Sequence, residues 1–190
     1  MTVRAMPIIE TERLRMRLAN IEDVPAVLQF FRDNEAHLQP WEPTRPDGFY
    51  SKEYWRAAVT KFHGEFLDER SLRLILFKKS DPARVAGTVN FSNIVRRAAQ
   101  YCNLGYSLAE RDQGQGYMLE AVSASLDYVF TDMNIHRVMA NYMPRNARSG
   151  KLLRRLGFTV EGYARAYLRI NGRWEDHILT SLTNPRWRSD

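Results

Sequence analysis

Gln113-Gly114-Gln115-Gly116-Tyr117-Met118 is a glycine-rich stretch that joins two regular segments of the chain. Residues 101–108, just before it, are predicted to form a strand. After it, residues 117–133 are predicted to form a helix, because apolar side chains recur there with the spacing of one helical face. These apolar residues are Met118, Val122, Leu126, Val129 and Met133. The pattern therefore predicts a strand, a tight loop and the first turn of a long helix in direct succession.

Such a loop is suited to binding an anion. Glycines let the backbone turn tightly and come close to a ligand. The first N–H groups of a helix have no partner within the helix, and they point outward with the positive end of the helix dipole. A phosphate or a pyrophosphate is the natural occupant of this kind of site. A tight connection without a ligand is the alternative.

Two common phosphate-binding loops do not match the stretch. A Walker A loop ends in Gly-Lys-Ser/Thr, whereas Gly116 is followed here by Tyr117 and Met118. A dinucleotide-binding fingerprint has a third glycine at the place where this chain has Leu119. Neither motif therefore accounts for the loop.

Length and composition indicate one globular domain. The chain has 190 residues, 44% of them apolar, and we expect a single domain over residues 1–190 with a core at 10–183. No apolar run reaches membrane-spanning length and the N-terminus lacks the apolar stretch of a signal peptide, so a soluble protein without membrane contact is expected. The single cysteine, Cys102, excludes an internal disulfide and fits a cytoplasmic protein. No cysteine or histidine cluster has metal-ligand spacing, so no metal site is predicted.

The chain is basic, with a formal net charge of +6 at pH 7. A charge of this sign attracts anionic partners such as a polyphosphate cofactor or a nucleic acid. The basic residues are spread along the chain, alternating at residues 13, 15 and 17 and paired at 96–97 and 154–155. Solvated faces of strands and helices explain this spread better than a dedicated patch, so direct readout of nucleic acid is not expected.

The remaining segments predict an α/β fold, with a central, mixed and mostly antiparallel sheet flanked by helices. Strands are predicted at residues 13–18, 71–77, 85–91, 101–108 and 137–142, the first four as an antiparallel meander. Helices are predicted at residues 20–32, 52–68, 117–133 and 144–157, with Asn146 as a cap and Gly157 as a stop in the last one. Asn171-Gly172 lies between two alternating apolar segments and predicts a hairpin of residues 163–170 and 174–182.

A proline-rich segment, residues 37–46, lies between the first two helices. Its three prolines break regular structure and hold the chain in turns or in extended form. Trp41 and Glu42 lie within it. In one interpretation they form a wall of a binding site, because loops often carry function. In the other, Trp41 only pins the loop to the core.

With these segments in order, the chain resembles the GNAT superfamily of acetyl-CoA-dependent N-acetyltransferases. Three regions carry the resemblance, and they occur in the family's order. They are Tyr106-Ser107-Leu108 before the glycine loop, His136-Arg137-Val138 entering a strand, and Asn146-x-x-Ser149 followed by Leu152-Leu153-x-x-Leu156-Gly157-Phe158. The resemblance implies the GNAT acyl-CoA N-acyltransferase fold, acetyl-CoA as the donor and an amine as the acceptor.

A narrower resemblance is to ribosomal-protein-alanine N-acetyltransferases of the RimJ type. It is carried by Leu38-Gln-Pro-Trp-Glu-Pro43, Val89-Asn-Phe-Ser-Asn93, residues 136–144 and Arg155-Leu-Gly-Phe158. It implies acetylation of the N-terminal alanine of a small-subunit ribosomal protein, which neither composition nor spacing indicates.

The resemblance also implies roles for residues of this chain. The backbone of Tyr106, Ser107 and Leu108 would pair with the pantetheine arm of the cofactor, and Asn146 would contact that arm. The pyrophosphate would be held by Gln113, Gly114, Gln115, Gly116, Tyr117 and Met118. Met118 replaces a small residue of the family's loop, but anion binding depends on backbone N–H groups and not on that side chain.

The usual acid of the family is missing. Many GNAT enzymes have a tyrosine seven residues after the asparagine, where this chain has Leu153, which cannot donate a proton. Ser149 lies at the position that RimJ-like enzymes use instead, and it is the candidate acid for the departing thiolate. An ordinary polar residue in the first turn of a helix is the alternative.

The implied reaction is direct attack of a neutral amine on a thioester. A chain-terminal α-amine has a pKa of about 7.7–8.0. Part of it is therefore already neutral at neutral pH, and a strong general base is not needed. Glu42 is the candidate for orienting or deprotonating the amine, with a solvated loop glutamate as the alternative. A backbone N–H on the strand that ends at residues 106–108 is the candidate donor to the oxyanion. Cys102 has no predicted histidine partner, so no acetyl-enzyme is expected.

Three functions stay open from the residues alone. Acetylation of a protein N-terminus leads. A GNAT enzyme acting on a small amine, an aminoacylated nucleotide or an antibiotic is the second, because Trp41 could stack on a planar acceptor. A basic ribosome- or RNA-binding factor with a secondary acetyl-CoA site is the third. Association with the ribosome and the oligomeric state are left open.

Overall fold

The computed structural model describes residues 5–189, and the strands of that part of the chain form one eight-stranded sheet. The strands are β1 (Ile8–Glu10), β2 (Leu14–Arg17), β3 (Leu72–Lys78), β4 (Asp81–Val95), β5 (Tyr101–Leu108), β6 (Arg137–Met139), β7 (Thr159–Ile170) and β8 (Arg173–Thr183). Their order in the sheet is β1-β2-β3-β4-β5-β6-β8-β7. Only β5 and β6 run parallel, which confirms the predicted mixed and mostly antiparallel sheet.

Helices cover both faces of the sheet. They are α1 (Val24–Asp33), α2 (Glu35–Leu38), α3 (Lys52–Leu67), α4 (Tyr117–Thr131) and α5 (Ala147–Arg155). Successive residues of a strand point to opposite faces, so the sheet contributes to two cores. Leu74 and Val122 belong to the core under α4 and α5, whereas Ile75 and Val27 belong to the core under α1 and α3.

Several elements differ from the sequence prediction. β1 has only three residues, too few for its alternation to be recognised. Residues 37–41 form the end of α2 and a 3-10 turn rather than extended chain, and Pro40 stands in the first turn of that short helix, where its missing N–H costs nothing. β4 starts at Asp81 because a register shift at Phe77–Lys78 accommodates Pro82 near the start of the strand.

The parallel pair of β5 and β6 separates after three residue pairs. The pairs are Tyr101–Arg137, Cys102–Val138 and Asn103–Met139. From Ala140 onward the chain follows β8 instead, since Ala140 N–H donates to the Thr180 carbonyl oxygen at 3.0 Å. The predicted strand 137–142 is therefore too long as a partner of β5. Residues 104–108 border an opening in the sheet, which we call the gap.

Candidate active site

The glycine loop follows β5 after a 3-10 turn at Glu110–Asp112, and it leads into α4. Gly114 and Gly116 have φ of 76° and 82°, the left-handed region that residues with a Cβ rarely adopt. Gly116 is the N-cap of α4 and makes no side-chain hydrogen bond to the helix. The first N–H groups of α4 thus begin beside β5 without a side-chain cap, which is the arrangement of an anion site.

Arg13, just before β2, fixes this loop. Its Nη1 donates to the Gln115 carbonyl oxygen at 2.9 Å and its Nε donates to Glu120 Oε2 at 2.7 Å. Burial raises the pKa of Glu120, but hydrogen bonds from Thr11 and Arg13 outweigh it and lower the pKa overall. The alternation at residues 13–17 predicts a solvated arginine at position 13; the contact with Glu120 was not predictable, because the two residues are 107 apart in the chain.

The side chain of Gln113 joins α2 to α5. Its Oε1 accepts from the Arg148 guanidinium, which fixes the orientation of the amide. Its Nε2 lies 2.9 Å from His37 Nε2. An amide nitrogen only donates, so His37 Nε2 accepts and carries no proton. Neither His37 nor Arg148 is among the predicted site residues, because both contacts join parts of the chain that lie far apart in sequence, 76 residues for His37 and 35 for Arg148.

A hydrogen-bonded chain connects the start of α5 to β5. Asn146 Oδ1 accepts from the Ser149 backbone N–H at 3.1 Å, which confirms Asn146 as the cap of α5. Ser149 Oγ lies 2.7 Å from the Tyr106 hydroxyl. Burial raises the pKa of Tyr106 to about 12, although the hydrogen bond with Ser149 acts to lower it. The phenol is therefore protonated at neutral pH and can donate to Ser149 Oγ.

The edge of β5 that faces the gap offers backbone groups to a ligand. Ala109 N–H donates to the carbonyl oxygen of Ala86, a residue of β4, at 2.8 Å and so points away from the gap. Hydrogen-bonded and non-hydrogen-bonded pairs alternate along an antiparallel ladder, so Ser107 also pairs with β4. Tyr106 and Leu108 then direct their backbone groups into the gap. Of the three strand residues predicted to pair with a cofactor, these two have backbone on the open edge and Ser107 does not.

Two cavities meet at this strand. One of about 160 Å³ lies in the gap and is lined in part by Tyr142, Asn146 and Leu153; we call it the gap cavity. The other, of about 490 Å³, lies under α1, α3 and residues 41–46; we call it the loop cavity. Five residues line both cavities: Trp41, Glu42, Gly105, Tyr106 and Ser107. A ligand in the gap and a ligand under the loop can therefore touch at this place.

Two arginines hold Trp41 and Glu42 in position. Arg45 Nη2 lies 2.9 Å from Glu42 Oε2, and their side chains are 14% and 27% exposed. The Arg45 guanidinium also lies over the Phe49 ring, 4.8 Å from its centre. The Arg145 guanidinium lies over the Trp41 ring at 5.1 Å. The predicted pair thus lines a cavity, and Glu42 is ion-paired rather than freely solvated. Arg45 and Arg145 give no sequence signal, because arginines are spread through the chain.

Cys102 is separate from this site. It is fully buried where β5 meets β6, and burial raises the pKa of its thiol to about 12. A thiol that stays protonated at neutral pH is a poor nucleophile.

Residues 5–189 contain no group of three or more His, Cys, Asp or Glu side chains that could hold a metal ion. In the same part of the chain, every helix is too short or too polar to span a bilayer.

Comparison with known proteins agrees with this geometry. Residues 13–159 match the family model described as an acetyltransferase (GNAT) domain, which is more than half of the chain. The chain belongs to the GNAT acetyltransferase family. The fold class predicted from the order of segments is thereby confirmed, as are the acyl-transferring activity and the acetyl-CoA donor that the resemblance implies.

Several relatives of this GNAT enzyme are named as ribosomal-protein acetyltransferases. The chain is 42% identical to the [ribosomal protein uS5]-alanine N-acetyltransferase of Escherichia coli (strain K12), over 94% of this chain and 92% of that one. A crystal structure of a ribosomal-protein-S5-alanine acetyltransferase from Vibrio fischeri has a TM-score of 0.92 at 38% identity, covering 96% and 100% of the two chains. A ribosomal L7/L12 α-N-protein acetyltransferase in complex with coenzyme A has a TM-score of 0.81 at 25% identity, covering 93% and 98%. The narrower resemblance is confirmed as well.

Proposed function

We propose that this GNAT enzyme transfers the acetyl group of acetyl-CoA to the N-terminal alanine α-amine of a ribosomal protein by direct attack. The observation that carries the proposal is the meeting of the gap cavity and the loop cavity along Gly105, Tyr106 and Ser107. It lets a donor in one and an acceptor in the other react without a covalent intermediate. Similarity to the Escherichia coli uS5-alanine enzyme supports alanine and a ribosomal protein as the acceptor.

Acetyl-CoA suits the gap side of the site. When bound, it supplies the reactive thioester. The open backbone edge of Tyr106 and Leu108 matches an extended arm that carries amide groups, and the loop at Gly114 and Gly116 matches a pyrophosphate. Met118 is only 9% exposed, so its side chain packs into the core and leaves the backbone of the loop available.

The acceptor amine enters from the loop cavity in this proposal. About a tenth of a chain-terminal α-amine is neutral at pH 7, compared with far less of a lysine amine, whose pKa is about 10.4. Glu42 lines both cavities and is fixed by Arg45, so it is placed to orient the amine and to take its proton through a water molecule.

The departing sulfur would be stabilised from α5. Tyr106 donates to Ser149 Oγ in our assignment, which turns the Ser149 hydrogen toward the gap. Ser149 can then donate to the sulfur as the carbon–sulfur bond breaks. A thiolate with a pKa near 8.5 is a fair leaving group, so this help is useful rather than essential. A backbone N–H on the gap edge of β5 would hold the oxyanion.

Acetyl transfer to a panel of acceptors tests the proposal. The panel contains alanine-starting peptides, lysine peptides with a blocked N-terminus, and small amines. We expect alanine-starting peptides to be acetylated fastest. Faster acetylation of small amines would favour the alternative acceptor class, which the aromatic lining of the loop cavity also suits. RNA binding that weakens with salt and survives loss of the glycine loop would favour a binding factor instead.

A cytoplasmic location, one domain over residues 1–190 and association with the ribosome are parts of the same proposal. The buried, unpaired Cys102 supports a reducing compartment. The net charge of +6 supports weak attraction to ribosomal RNA. Sedimentation with ribosomes at low and high salt checks the last part.

A further inference from the structure

Gly105 is an unusual residue for its place in the sheet. It lies in β5, a strand in the interior of the sheet between β4 and β6, yet it is exposed. Glycine in a strand interior weakens the strand, because it has no side chain to pack and loses more conformational freedom on folding. A glycine at such a position needs a reason, such as an unusual backbone angle, crowding or a ligand.

Neither an unusual backbone angle nor crowding explains the glycine at position 105. Gly105 is not among the described residues with a positive φ. A Cβ built on Gly87 would lie 2.4 Å from the Ser107 carbonyl oxygen, and one on Gly150 would lie 2.7 Å from the Tyr142 ring. A Cβ built on Gly105 meets nothing within 4 Å in the described part of the chain beyond its own neighbours. Alanine would therefore fit there sterically.

The empty space at Gly105 belongs to the loop cavity. Side chains alternate along a strand, so a side chain at position 105 would point to the same face as Ser107. Ser107 Oγ lies 2.9 Å from Thr88 Oγ1, and both residues line the loop cavity. Asn90 stands directly opposite Gly105 in the ladder and lines the same cavity. The missing side chain thus leaves a pocket bordered by Asn90, Thr88 and Ser107.

This pocket adjoins the point where the two cavities meet. An amine that attacks a thioester on the gap edge of Tyr106 must approach across Gly105 and Ser107, which line both cavities. The α-carbon and side chain of the acceptor's first residue follow the amine within one or two bonds, so they have to lie over the same floor.

We propose that Gly105 sets the size of the acceptor's first residue, by leaving room on the floor of the loop cavity for a side chain as small as a methyl group. This inference rests on the proposed function, since it assumes a peptide N-terminus as the acceptor. It extends that function to a residue that sets specificity without taking part in the chemistry. A methyl group at position 105 would occupy the space that the acceptor's own methyl group needs.

The test compares Gly105→Ala with the wild-type enzyme on peptides that differ only in a first residue of glycine or alanine. For the alanine peptide, kcat/KM is expected to fall at least about 10-fold, the usual effect of one methyl group in a tight pocket. For the glycine peptide it should change less than about three-fold, and so should the dissociation constant of acetyl-CoA measured by calorimetry. Gly162→Ala is the matched control, because Gly162 also lies in a strand with open space around its Cα but lines neither cavity.

Equal losses on both peptides, or no loss on either, would overturn the role of Gly105. So would a loss that follows weakened acetyl-CoA binding. Turnover of the alanine peptide by the wild-type enzyme is measured separately. Its absence would refute the proposed function, and an unchanged size preference in Gly105→Ala would refute only this inference.

Discussion

The gap side and the loop side of the site are built from different parts of the chain. On the gap side, apart from the Ser149 hydroxyl, the groups proposed to hold a ligand are backbone groups: the edge of β5 and the loop at Gly114 and Gly116. On the loop side they are side chains, such as Trp41 and Glu42, which also border the gap cavity and are held by Arg45 and Arg145. Backbone groups present the same surface whatever the side chains are, whereas a wall of side chains changes with each substitution. The gap side therefore suits a constant donor, and the loop side suits a particular acceptor.

The largest effect is expected from Gly116→Val, which challenges the backbone character of the gap side. A β-branched residue at φ 82° is strained, so the first turn of α4 has to move. Backbone strain of this kind costs about 1–3 kcal/mol, and we expect acetyl-CoA to bind about 10- to 100-fold more weakly by calorimetry. Gly162→Val, on the edge strand β7, is the control and should bind normally. Normal binding by Gly116→Val would mean that the loop is not the anion site.

A smaller effect is expected from Ser149→Ala, the one side chain on the gap side with a proposed chemical role. The cap of α5 survives, because Asn146 accepts from the backbone N–H of residue 149. We expect kcat to fall about 10-fold, less than the roughly 100-fold that general acids usually supply, because the thiolate is a fair leaving group; the affinity for acetyl-CoA should not change. Ser123→Ala, an exposed serine of α4, is the control for stopped-flow and steady-state assays. Unchanged kcat would remove Ser149 from the mechanism.

Glu42→Gln tests the loop side. The substitution keeps the shape of the side chain but removes its charge and weakens the pair with Arg45. For a partly exposed pair the loss is about 1 kcal/mol, so we expect the KM of the peptide to rise about five-fold while the KM of acetyl-CoA stays the same. Glu10→Gln, which removes an exposed carboxylate on β1, should change neither constant. A rise in the KM of acetyl-CoA would break the distinction between the two sides.

Neither alkylation nor acetylation is expected at Cys102, which lines neither cavity. Its thiol is buried and its pKa is raised to about 12, so at pH 8.5 it stays protonated. We expect the folded enzyme to resist iodoacetamide for hours and the enzyme in urea to be alkylated fully, as mass spectrometry will report. Radiolabelled acetyl-CoA should leave no acetyl group on Cys102. A labelled thiol would replace direct attack with an acetyl-enzyme route.

Local pattern was enough to predict the elements that build the gap side. The strand Tyr101–Leu108 lies where it was predicted, and α4 ends two residues before the predicted end at 133. The turn at Asn171-Gly172 connects β7 to β8 as predicted, although β7 starts earlier, at Thr159. Periodicity and the conformational freedom of glycine are properties of neighbouring residues, so they can be recognised in a sequence.

Long-range contacts were not predictable in this way. The separation of β5 from β6 depends on Ala140 turning toward Thr180, 40 residues further along the chain. The bridge from Gln113 to His37 spans 76 residues. Arg45 looks like any other basic residue until the fold places it against Glu42. The two cavities arise from such contacts, and the family resemblance supplied Ser149 and Asn146 as site candidates, where pattern alone gave Asn146 only a capping role and Ser149 none.

Because β5 and β6 pair over a short distance only, the gap between them widens from that contact toward the end of β5. The two strands are joined only at residues 101–103, and Leu108 lies five residues beyond that joint. At about 3.3 Å per residue, Leu108 lies about 16 Å from the paired residues. A change of about 5° in the angle between the two strands would therefore change the width of the gap at Leu108 by about 1.4 Å. Cys102 and Val138 are fully buried at this contact, so their packing fixes the angle between the two strands, and the width of the gap next to the glycine loop depends on that angle.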